Sequence, residues 1–147
     1  MNNDTWAYFN WLLLMSLDIV KLPMVGWACS LLTVGLVVSF AWQRPFGDGH
    51  WKRYYSLVLT QFVFFPALVA VGALYGSINP KHAPPPVNHA AEMAINTLFY
   101  LSLTLSVFWL YRMKGLRWFA FCLVTLQQIF LVGAMAVAHM SITGDWI

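Results

Sequence analysis

Four residues carry metal-ligating side chains and fall where the chain returns to one end of the molecule: His82, His89, Glu92 and His139. His89 and Glu92 stand three apart, so on a helix they share a face. His139 closes a later apolar segment that runs back toward them. Imidazole with carboxylate suits zinc, copper or non-haem iron. Met93 follows His89 by four positions and Met135 precedes His139 by four, and added thioethers would turn the set toward Cu(I). His139 is the only histidine within a long apolar segment, so a haem or pigment held in the membrane would have it as a single axial ligand. The plainer reading is that loop histidines contact water and methionines fill apolar gaps.

A second group consists of amides. Gln127 and Gln128 are adjacent in the last apolar segment, Asn96 lies in the one before, and Thr60 and Gln61 lie in an earlier one. Amides inside an apolar environment must pair or face a cavity. Pairing makes them helix-to-helix glue. A cavity bounded by Asn96, Gln127 and Gln128 would instead take a cofactor such as a quinone, a lipid head group or a small substrate, or line a homo-oligomeric channel. No acidic residue stands in the middle of an apolar segment, which counts against a proton-coupled transporter. Cys29 and Cys122 lack Cys-x-x-Cys spacing and read as small packing residues.

These groups ride on an unusually apolar chain. Of the 147 residues, 61% are hydrophobic and 9% charged, and the apolar ones gather into runs. Four runs reach the roughly 20 residues that cross a bilayer as a helix: about 23–42, 56–78, 93–111 and 118–140. In lipid an open chain satisfies its backbone hydrogen bonds only as a helix. The expected fold is therefore all-α, an integral membrane four-helix bundle forming a single transmembrane domain over 1–147. Residues 5–22 carry Asn10, Asp18 and Lys21 on a loose polar stripe just before Pro23. They are expected to form an interfacial helix, or the first half of a long helix kinked at Pro23.

The charge of +3 is topological, so no nucleic-acid partner is implied. Arg44, Lys52 and Arg53 separate the first two spans, and Arg112, Lys114 and Arg117 separate the last two. By the positive-inside rule both turns face the cytoplasm, which puts both chain ends outside, in a bacterial-type inner membrane. Between 79 and 89 a proline-rich strap links the second and third spans, and Asn88 with Glu92 suits the start of the third. Gly72-x-x-x-Gly76 is a small-residue contact motif.

Several small four-span families are excluded by their own motifs. The chain lacks the first-span glutamate of small multidrug exporters and the paired aspartate motifs of lipoprotein signal peptidases. It also lacks the paired cysteines of vitamin K epoxide reductases and the charged second helix of glutathione-dependent eicosanoid enzymes. With little soluble mass, its main asset is packing surface. The expected role is a small subunit of a larger respiratory, photosynthetic or oxidase-type assembly, in contact with the lipid bilayer and with other membrane subunits or further copies of itself. A metal-dependent enzyme or metal-handling protein is the first alternative, and a homo-oligomeric channel the second.

Overall fold

The structure, a computed structural model, describes the chain over residues 3–43, 51–76 and 88–144. It consists of α1 (Asn3–Leu17), a 3-10 turn (Asp18–Lys21), α2 (Pro23–Gln43), α3 (Trp51–Tyr75), α4 (His89–Arg112) and α5 (Arg117–Thr143). Four helices, α2 to α5, are long and apolar enough to cross a membrane. The all-α bundle of four such helices read from the apolar runs is thus present. α4 and α5 overrun the predicted limits at both ends, whereas α3 starts earlier than predicted, at Trp51, and ends at Tyr75. α4 begins at His89 because the Asn88 side chain accepts from the Ala91 backbone amide at 3.2 Å, satisfying a donor of the first turn.

The N-terminal segment is broken just ahead of Pro23, and its first part, α1, packs against α3 and α5. The break follows from Pro23, which stands at the first position of α2, where its missing N–H leaves nothing unsatisfied. A proline also pushes its predecessor out of the helical region, and Leu22 is extended at φ −66°, ψ 125°. α1 is held along α5 and α3 by packing. Tyr8, Leu12 and Ser16 recur every four residues and are all buried, with Leu12 and Ser16 at 0% exposure.

α5 is the hub, touching α1, α2, α3 and α4. α1 and α2 line it one after the other in the antiparallel sense. Tyr8 meets Ser141, Ser16 lies against Gly133, and further down the Phe40 ring sits 6.2 Å from that of Phe119. Together they make one broken helix beside one long one. α3 runs parallel to α5 and approaches it so closely that a Cβ on Gly72 would lie 2.9 Å from Ala138 Cα. The Gly72-x-x-x-Gly76 motif is therefore used within the chain, against Ala138 and Ser141.

Two apolar clusters hold the ends of the bundle. One joins Leu12, Leu68, Ile95, Ala134 and Ile142 across α1, α3, α4 and α5. The other joins Leu57 to Met113, Leu116, Ala120 and Val124, and so fastens the start of α3 to the α4–α5 turn. By this pairing the start of α3 and that basic turn share one end, while Tyr8, Ala91 and Ser141 share the other.

Candidate functional site

Polar side chains converge on α5 at three levels, and the helix approaches just described decide which of them meet. At the Tyr8 end, Ser141 Oγ donates to the carbonyl oxygen of Gly72 at 2.8 Å and receives the Tyr8 hydroxyl at 2.7 Å. One hydroxyl thus ties α1, α3 and α5 together. Neither residue stands out in the sequence. The signal that could have found them is the spacing of Tyr8, Leu12 and Ser16, which marks a second, buried face on α1.

Lower down, the adjacent glutamines part ways, because neighbours on a helix point about 100° apart. Gln128 turns to α4, where its Nε2 donates to Ser106 Oγ at 2.8 Å and approaches Ser102 Oγ at 3.4 Å. Those hydroxyls donate in turn to Ser102 O and Phe99 O, so the four groups form one ladder. This is the interhelical pairing expected of amides in an apolar bundle. Gln127 turns the other way. Both its carboxamide atoms are sealed and have no hydrogen-bond partner among the described residues, as is also true of Gln128 Oε1. Gln127 forms part of the wall of a cleft of about 180 Å³ with Leu17, Phe62, Phe65, Phe130 and Leu131. An apolar cavity of about 150 Å³ is enough for a benzene ring, so the cleft is of a size for a ring or an acyl segment.

Asn96 is half-buried on α4 and is not brought to Gln127 or Gln128 by any hydrogen bond among the described residues. The side chains of Thr60 and Gln61 lie outside the described residues. The amide group thus resolves into a bonded half, Gln128, and an unbonded half, Gln127.

At the third level is the break. Lys21 Nζ reaches Asp18 Oδ1 at 2.9 Å, and the two side chains are 77% and 53% exposed on the flank of the bundle. Ile19, between them, packs on Gly133, where an added Cβ would lie 3.1 Å from the Ile19 side chain and 2.7 Å from Ser16 O. Gly133 is ten residues from the end of α5, which places the pair about 15 Å along the axis from that end.

The expected metal set is only partly within view. His82 and the proline strap lie outside the described residues. His89 Nδ1 stands 3.6 Å from Glu92 Oε2, both on the exposed first turn of α4, and His139 is half-buried on α5. Among the described residues no three His, Cys, Asp or Glu side chains come together as a group able to hold a metal ion. Comparison with protein-family models, with curated proteins and with solved structures gives no match.

Proposed function

We propose that this chain is a non-catalytic integral subunit of a larger membrane assembly, supplying helix surface and lipid or cofactor contacts to its partners. The observation that carries this reading is the exposed Asp18–Lys21 pair at the break. α5 has 27 residues and is about 40 Å long, against a hydrocarbon core of about 30 Å, so in a centred bundle the pair lies about 10 Å inside the apolar region. Each charge at the bilayer centre costs about 2.5–3.5 kcal/mol on insertion scales. A pair at that depth on an outer flank is better matched by a polar surface of a partner than by acyl chains. The form of α2 agrees with this. Among the described residues it touches only α5 and the 3-10 turn, and Met24, Trp27, Leu31, Val34, Val38 and Trp42 stand exposed at steps of three or four residues. The cleft beside Gln127 provides the place for a lipid or cofactor contact.

The test is gentle extraction followed by native mass measurement. The expected result is a particle heavier than one 16.7 kDa chain, with companions that are lost when Asp18→Asn and Lys21→Met are made together. A wild-type protein that runs only as a single copy, with no companion, refutes the proposal. In the same reading the chain ends face the side opposite the cationic turns, outside a bacterial-type inner membrane. A topology reporter fused after Ile147 that reads cytoplasmic would reverse that orientation.

A further inference from the structure

The end of the bundle that holds the α4–α5 turn is cationic by sequence. Arg112, Lys114 and Arg117 stand in or beside this turn, and Lys52 and Arg53 fall in the first turn of α3. None of the acids among the described residues reaches it, since Asp4 lies at the start of α1, Asp18 at the break and Glu92 in the first turn of α4. The turn itself is anchored by burial and by backbone hydrogen bonds. Met113 and Leu116 are 2% and 4% exposed and plug the apolar cluster below. Backbone bonds from Met113 to Trp109, Lys114 to Arg112 and Leu116 to Met113 close the loop. Gly115 supplies the left-handed residue at φ 92° that such a short reversal needs.

That anchored turn presents a cup. Phe108, Tyr111, Arg112 and Lys114 surround an open recess of about 360 Å³, and the Arg112 guanidinium carbon is held 5.7 Å from the centre of the Phe108 ring. A guanidinium within about 6 Å of a ring centre is attracted to the ring face, and its planar set of donors suits an anion. Directly along α4 from the cup runs an exposed apolar strip, Tyr111, Val107, Leu103 and Tyr100, at helical spacing. Two cations beside an apolar strip one phospholipid long match the two halves of an anionic lipid.

We propose that the Arg112–Lys114 cup binds the phosphate of one anionic phospholipid, whose acyl chain lies on the Tyr100–Val107 strip of α4. The site is independent of the subunit reading above, because its ligand is a lipid of the surrounding leaflet and it sits at the other end of α4 from Glu92. A free inorganic phosphate shares the charge chemistry but has no use for the strip.

The test uses the purified full chain in nanodiscs of phosphatidylcholine doped with phosphatidylglycerol, and counts retained lipids by native mass spectrometry. One phosphatidylglycerol per chain is expected to be retained over phosphatidylcholine. The exposed double variant Arg112→Gln with Lys114→Gln should weaken it by about 30-fold, the product of two interactions of roughly fivefold each. Lys114→Arg alone keeps both charges and the Arg112–Phe108 contact, and should hold the lipid within about twofold of wild type. Equal retention of the two lipids, or undiminished retention by the charge-neutral variant, overturns the proposal. Saturable binding of inorganic phosphate that displaces the lipid completely would also overturn it, by showing that the strip contributes nothing.

Discussion

Replacing Gly72 by Ala tests whether the α3–α5 approach is what organises the bundle. The added Cβ would lie 2.9 Å from Ala138 Cα and 3.0 Å from Ala138 Cβ. Non-bonded carbons prefer about 3.5–4.0 Å, so roughly 0.6–1 Å must be absorbed, and backbone on both sides has to move. Overpacking of this kind costs about 1–3 kcal/mol. Gly35→Ala is the matched control. Its Cβ would meet only Cys122 Sγ, at 3.1 Å, a side-chain atom that can give way. Both substitutions replace a glycine within a helix, so the helix-propensity gain of about 1 kcal/mol is common to them and cancels in the difference. The assay is reversible unfolding in mixed micelles, read as Gly72→Ala minus Gly35→Ala. A gap of about 1–3 kcal/mol is expected. Adding Ala138→Gly to Gly72→Ala should recover part of it, because the clash between the two methyl groups is relieved while the crowding against the backbone of residue 138 persists. Equal stability of the two single variants would refute the close-approach argument.

Three further outcomes follow from particular bonds. Gln127→Leu, which removes two sealed atoms with no partner among the described residues, should raise stability by roughly 1 kcal/mol, and Gln128→Leu, which removes one such atom but also the bond to Ser106, should be the less stable of the two by about 0.6–1.7 kcal/mol. The same unfolding assay reads both, and a Gln128→Leu variant as stable as Gln127→Leu would contradict the difference in their surroundings. Asn88→Ala should cost about 1 kcal/mol at the start of α4 and speed hydrogen exchange of the Ala91 amide, with unchanged exchange as the failing result. Tyr8→Phe should loosen α1 by about 0.6 kcal/mol, seen as faster exchange over α1 with α4 unaffected.

Much of the candidate site was visible as residue types and little of it as partnerships. Gln127 and Gln128 were conspicuous as amides in an apolar run, but adjacency in sequence concealed that one would bond to Ser106 and the other face a cleft. Asp18 and Lys21 were visible only as members of a loose polar stripe, and the structure pairs them at 2.9 Å. Their depth depends on α1 standing along α5, and the polar stripe of Asn10, Asp18 and Lys21 obscured the buried stripe of Tyr8, Leu12 and Ser16. Gly72 and Gly76 had the spacing of a contact motif, yet spacing alone does not say whether the contact is with α5 or with another chain.

What the sequence by itself determined is the number of long helices, their approximate ends and the clustering of cations between them. Those features rest on one-dimensional quantities: the length of an apolar run, the missing N–H of Pro23, the cap at Asn88 and the charge of each connecting turn. Only the tertiary structure decided which faces meet, that α1 and α2 share α5 as one broken helix, and that Ser141 joins three helices through its hydroxyl. The reason is physical. In lipid both the inside and the outside of a bundle are apolar, so hydrophobicity cannot mark the packed face. The choice passes to close steric fit, a glycine against an alanine at 2.9 Å or a serine against a tyrosine at 2.7 Å, and such fit exists only once the helices are side by side.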